Sequence, residues 1–177
     1  MDYQSAKKLL DDLPKILGGQ PTGRYTYILN VYRAHFLHEM FRLIHYSFIV
    51  RSERVPDQFG NEWQPLSPRT IAKKKKPHKR GMLRLPASST PESINRDTGR
   101  LAKSYEPGMI AGAYYVPANM DQKVSWIGKK LEVGTRVPYA KEVSKLRELL
   151  PKDTQIKITR LAIIAGVKAI KPIIEKL

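Results

Sequence analysis

Residues Tyr25–Ser52 read YTYILNVYRAHFLHEMFRLIHYSFIVRS, with no proline or glycine to interrupt them. Leu29, Tyr32, Phe36, Met40, Leu43 and Phe48 recur at intervals of three to five, and Ile28, Leu37 and Ile44 widen the stripe. That period belongs to one long helix with a buried face. At about 1.5 Å per residue it is about 40 Å long, more than the width of a small domain, so one end projects or packs on a neighbour. Upstream, Leu9, Leu10, Leu13 and Leu17 predict a shorter helix capped by Ser5 and stopped by Gly18-Gly19.

Downstream of Ser52 the composition changes. Pro65, Pro68, Pro77, Pro86 and Pro91 punctuate residues 64–96, and the same region holds Arg69, Lys73, Lys74, Lys75, Lys76, Lys79, Arg80 and Arg84 with no acid from 69 to 84. Like charges repel and proline forbids regular pairing, so this is expected to be an extended basic arm. Beyond it the period shortens. Met109–Val116 is apolar with Tyr114-Tyr115, and Val124–Trp126 and Leu131–Val133 alternate around a turn at Gly128-Lys129-Lys130. Pro138 is expected to open a helix with Tyr139, Val143, Leu146 and Leu150 on one face and Pro151 at its end. The last segment carries two periods, strand-like over Gln155–Thr159 and helical through Ile163, Val167, Ile170 and Ile174. The fold class expected is α+β in a single domain: a long N-terminal helix and a C-terminal helix on a small, mostly antiparallel sheet from about 107–134 and 155–160. The expected core includes Trp126, Leu131, Val133, Tyr139, Val143 and Leu146 beside the helical stripe.

Composition narrows the chemistry. The chain has 177 residues, 32 Lys and Arg against 16 Asp and Glu, a formal charge of +16 and no cysteine. Half of that excess lies in residues 69–84. Such a charge points to polyanions or acidic protein surfaces as partners. The absence of cysteine excludes disulfides, thiolate metal sites and cysteine nucleophiles. The longest uncharged stretch, Pro107–Met120, is too short and too polar to cross a bilayer, and Met1-Asp2-Tyr3-Gln4 lacks the order of a secretory signal, so no membrane role is expected.

Three of the four histidines, His35, His38 and His45, lie on the long helix with Arg42 among them. The zinc-protease pattern needs histidines four apart with Glu directly after the first, and His38-Glu39 is followed by Phe41-Arg42. A polar helix face is the expectation, and no metal site. The acids, among them Asp57, Glu62, Asp97, Asp121 and Glu132, are scattered singly and do not suggest a metal-dependent nuclease. No nucleophile elbow and no phosphate-binding loop occurs. Neither catalysis nor a cofactor is expected. The arm is a different matter: its lysines and arginines suit phosphate contacts, and without aromatics from Arg69 to Arg84 any such contact is to backbone. It equally suits an acidic face of a neighbouring subunit.

Three phrases then resemble one family. They are DQFGNEWQPLSPRT at 57–70, INRDTGRLAKS at 94–104 and LEVGTRVPYAK at 131–141. In this order, with a basic linker after the first, they are similar to the virion morphogenesis family of tailed bacteriophages, also called tail-completion or neck proteins. The likeness covers about 57–141 and departs after Ala140, where Glu142-Val143-Ser144-Lys145 replaces the family's His or Gln and Gly. Within the first phrase, Phe59 and Trp63 bracket a Gly-Asn turn and are expected to anchor the arm to the core.

What the resemblance implies is a structural virion protein and not an enzyme. It would join heads to tails or complete tails, in the virion neck or at the tail end, after assembly in the host cytoplasm. Its partners would be further copies in a closed ring, a head connector and a tail terminator, with non-specific contact to packaged DNA. The alternative, from the arm alone, is a sequence-independent nucleic-acid-binding protein.

Overall fold

A computed structural model describes residues 1–18, 23–75, 100–127, 130–146 and 148–177. The order of elements is α1 (Tyr3–Ile16), α2 (Gly23–Ser52), α3 (Pro68–Lys75), α4 (Arg100–Lys103), β1 (Met109–Ala111), β2 (Tyr114–Val116), β3 (Gln122–Ile127), β4 (Lys130–Thr135), α5 (Ala140–Leu146) and α6 (Lys152–Ile174). The fold is α+β, with long helices towards both ends of the chain and two small antiparallel sheets.

Two compact units divide these elements. The first is built from Met1–Leu43, Pro107–Ala118 and Lys152–Leu177, the second from Ile44–Glu106 and Asn119–Pro151. Neither is a continuous run of sequence.

In the first unit α1 packs along α6. Leu13, Ile28, Val31, Ala113 and Ile170 form a buried cluster, with Leu9, Leu10, Leu17, Tyr32 and Ile174 packed against it. The cap of α1 is Asp2 and not the expected Ser5, which lies inside the helix: the Asp2 carboxylate accepts the Ser5 N–H at 2.8 Å. Asp2 is thereby held below the ordinary carboxylate range, chiefly by that bond. At the other end Gly18 stands at φ +78°, a left-handed conformation that glycine enters without a Cβ penalty.

The buried register of α2 is Ile28, Val31, Ala34, Leu37, Phe41, Ile44, Phe48, with Phe36 and Leu43 on a second face. Ile28, Phe36, Leu37, Leu43, Ile44 and Phe48 of the expected stripe are thus buried, whereas Leu29, Tyr32 and Met40 are only half buried. α2 ends in a Schellman closure, Val55 N–H to Val50 C=O at 3.3 Å, with Arg54 at φ +62° where glycine is the usual residue.

β1 and β2 form a hairpin, Met109 opposite Val116 and Ala111 opposite Tyr114, around Gly112-Ala113. Gly112 at φ +60° supplies the backbone a two-residue turn requires. Gly108 ties this hairpin to α2. Its N–H donates to Tyr115 Oη at 2.9 Å, its carbonyl lies 2.9 Å from His38 Nδ1, and Tyr115 stacks on Phe41 with centroids 5.8 Å apart. A Cβ at Gly108 would collide with the Val116 carbonyl oxygen, so only glycine fits.

In the second unit β3 and β4 pair antiparallel, Val124 opposite Val133. Phe48, Trp63, Leu101, Tyr105, Val137 and Ala140 are buried.

Four further expectations are corrected. The sheet is two separate two-stranded sheets in different units, each strand satisfied by its sequence neighbour, β1 by β2 and β3 by β4. Residues 155–160 are helical: Thr154, Ile158, Ala162 and Ile170 are buried at multiples of four, and the alternation around Ile156 is incidental to that row. The extended reading of 64–96 fails over Pro68–Lys75. There Ser67 Oγ caps by accepting the Thr70 N–H, and Pro68 takes the first helical position, where a proline does not interrupt the helix. Tyr139 is exposed, not core, because α5 starts at Ala140 and Tyr139 remains in the preceding turn. The turn at Gly128-Lys129 lies outside the described residues, as do the side chains of Trp126 and Leu146.

Candidate functional site

A polar knot in the second unit organises the first of the three phrases. Ser47 and Arg51 sit one turn apart on the buried side of α2, where the register of Ile44 and Phe48 leaves no room for solvent. The chain leaves the helix and returns Asp57 to this spot. Ser47 Oγ donates to Asp57 Oδ2 at 2.5 Å, and the backbone N–H groups of Phe59 and Asn61 donate to Oδ1 at 2.9 Å each. Asn61 Nδ2 adds a bond at 3.2 Å. The Asp57–Asn61 turn closes on itself through Asp57 N–H to Asn61 C=O at 2.8 Å, with Gly60 at φ +82°.

The Arg51 guanidinium completes the knot, its Nε 3.7 Å from Asp57 Oδ2, with both side chains almost wholly buried. Its Nε donates to the Ser47 carbonyl at 3.2 Å, Nη1 to the Glu148 carbonyl at 3.4 Å, and Nη2 to the Leu149 carbonyl. Burial pushes the Asp57 carboxyl up, but the bonds from Ser47, Asn61 and Phe59 outweigh it and hold the group below the ordinary carboxylate range. Burial lowers Arg51, opposed by the charges of Asp57 and Glu148.

Trp63 is buried on this knot. Its ring lies 4.4 Å under the Arg51 guanidinium carbon, Phe48 meets it edge-on at 5.1 Å, and its indole N–H donates to the Glu148 carbonyl at 3.1 Å. Phe59 is half buried and contributes its backbone N–H. Beside Trp63 lies a groove of about 570 Å³ lined by Arg51, Glu62, Gln64, Glu148 and Pro151.

The other two phrases fall in the same unit. From the second, Leu101 and Ala102 are buried, Ser104 Oγ donates to the Leu101 carbonyl at 2.7 Å, and Arg100 makes a two-pronged ion pair with Asp121 at 2.6 and 2.7 Å. His45 Nδ1 stands 3.2 Å from the Ala102 carbonyl. From the third, Thr135 Oγ1 accepts the Val137 N–H at 3.0 Å, Val137 and Ala140 are buried, and the Arg136 N–H donates to the Asp121 carbonyl at 2.7 Å. Asp121 thus joins the second and third phrases.

No family model, no curated protein and no solved structure matches the chain.

Of the basic residues expected to meet a partner, Arg69, Lys73 and Lys75 are exposed on α3, where Ile71 is half buried. Lys74 belongs to the same helix, and Lys76, Lys79, Arg80 and Arg84 lie outside the described residues. Among the described residues no group of three His, Asp or Glu side chains could hold a metal ion, and no helix is long and apolar enough to cross a membrane. His38 and His45 each meet one backbone carbonyl instead. Sequence reading treats Asp57 as a stray acid and passes over Ser47 and Arg51. The signal is nonetheless present: two polar residues one turn apart in the apolar register of α2, followed by Asp57 and a Gly-Asn turn.

Proposed function

We propose that this protein is a structural component of a tailed-bacteriophage virion, acting in head–tail joining or tail completion as a ring at the neck. One observation supports this most. The three phrases on which the resemblance rests are separated by tens of residues, yet their described residues gather in one compact unit, tied by the Arg51–Asp57 knot and by Asp121. Those residues carry architecture: Asp57, Ser104, Asp121 and Thr135 are bonded to backbone or to a neighbour. A ring requires that one surface of each copy meet a different surface of the next. The exposed Arg69 and Lys73 of α3 would supply one such surface, and a head connector or tail terminator would supply the others.

Electron microscopy of lysates from a phage with an early stop codon in this gene tests the assignment. Separate DNA-filled heads beside finished tails are expected, and normal infectious particles would overturn it. The arm admits a second reading because Arg69, Lys73 and Lys75 are exposed together: sequence-independent nucleic-acid binding. Replacing Lys73, Lys74, Lys75 and Lys76 with Gln separates the two. Loss of salt-sensitive DNA binding favours nucleic acid as the arm's partner. Unchanged DNA binding with blocked assembly favours protein.

A further inference from the structure

α6 carries one acidic residue, Asp153, in its first turn on the same side as the cations below, and none from Thr154 to Ile174. Its burial is one-sided. Thr154, Ile158, Ala162, Gly166, Val167 and Ile170 face the interior, whereas Lys157, Arg160, Lys168 and Lys171 are exposed. At 3.6 residues per turn these four cations fall within an arc of about 80°, and from Lys157 to Lys171 they span about 21 Å. Lys157 and Lys168 have no carboxylate within ion-pair distance among the described residues. Lys171 lies 3.5 Å from Glu175, both half exposed, and a pair so placed is held weakly. Arg160 is steadied by its position 5.3 Å over the Tyr3 ring of α1.

We infer that this face of α6 binds the phosphate backbone of double-stranded nucleic acid, independently of sequence. Charge complementarity selects the ligand. A duplex carries one negative charge per about 1.7 Å of axis, so about 21 Å of helix face meets several phosphates at once. The residues between the cations, Leu161 and Ile164, have no group that reads a base edge, so contact is to backbone alone. α6 carries no aromatic residue, so its face gives single strands no platform for stacking. An anionic membrane is disfavoured because an interfacial helix needs a free apolar face, and that of α6 is already packed against α1 and the core. The inference holds whether or not the protein belongs to a virion neck, and it concerns a different unit from the basic α3.

The test uses the full chain and short duplexes of two unrelated sequences, with binding followed by fluorescence anisotropy between about 50 and 200 mM salt. One variant carries Lys157→Gln, Arg160→Gln, Lys168→Gln and Lys171→Gln. A second keeps Arg160, in case its position over Tyr3 is needed for folding, and circular dichroism checks both. The slope of log affinity against log salt should flatten by about 0.9 for each phosphate no longer neutralised, up to about 3.6 for four, equally for both sequences. The same flattening should appear when Lys73–Lys76 are already Gln. An unchanged slope in both folded variants would overturn the inference. So would binding of the wild type to phosphatidylserine vesicles but not to duplex, or an effect confined to one sequence.

Discussion

At the scale of single residues, Asp57 carries the largest consequence. Its carboxylate faces a buried guanidinium, and removing one member of such a pair leaves an uncompensated charge out of water, a cost of about 3–5 kcal/mol. Asp57→Ala should lose about that much in urea-unfolding free energy, while Asp57→Asn, which keeps an acceptor oxygen, loses less. The pH dependence has a definite sign. A carboxyl whose folded pKa lies below its unfolded value, about 3.9, stabilises the fold fully above that value and progressively less as pH falls towards the folded one. The gap between wild type and Asp57→Asn should therefore narrow as pH is lowered from about 5 to 3. A gap that stays constant would mean that folding does not shift this carboxyl, and one that widens as pH falls would mean it is not ionised in the knot. Arg54 offers the opposite case. It holds a left-handed conformation at the end of α2, and Arg54→Gly should raise stability by up to about 1 kcal/mol, since that strain exceeds what glycine adds to the freedom of the unfolded chain.

Among elements, the crossing of α2 and α6 depends on Gly166. A Cβ there would come within 2.7 Å of the Tyr32 ring and 3.0 Å of its carbonyl oxygen. Alanine gains about 1 kcal/mol of helix propensity over glycine, but overpacking of this kind costs about 1–3 kcal/mol, so Gly166→Ala should destabilise on balance. Once Tyr32→Leu has removed the ring, the same substitution should become neutral or stabilising, a reversal that a thermal-melt double-mutant cycle would detect. Helices of this length are legible in sequence because periodicity over many residues leaves little room for another reading: α2, expected at Tyr25–Ser52, runs from Gly23 to Ser52. What escapes is whatever depends on distant partners. Phe41, outside the expected stripe, is buried under Tyr115 of the β1–β2 hairpin, a contact that local spacing does not encode. The strand-like run at Gln155–Thr159 is ambiguous for the same reason: that Thr154 and Ile158 are buried and Ile156 exposed depends on packing, not on the local alternation. Trp63 is expected as an anchor from its size alone, but the carbonyl of Glu148 that holds its indole is 85 residues away.

Over the whole molecule, a formal charge of +16 sets two salt dependences of opposite sign. Copies of this chain repel one another, so self-association should strengthen as salt screens them. Contact with a polyanion releases counterions and should weaken over the same range. Sedimentation velocity beside DNA titration, both from low to moderate salt, should show the trends diverge. Self-association that also weakens with salt would mean that copies meet through opposite charges, as a basic arm on an acidic face would require.

The pairing of α1 with α6 has a consequence for how the chain is made. A ribosome releases Leu13, Ile28 and Val31 long before Ile170, which closes the cluster over them. At about 5–20 residues per second, that apolar surface waits on the order of ten seconds for its cover. The first unit is thus completed last, and during synthesis its opening helices are the part of the nascent protein most in need of a chaperone's shelter.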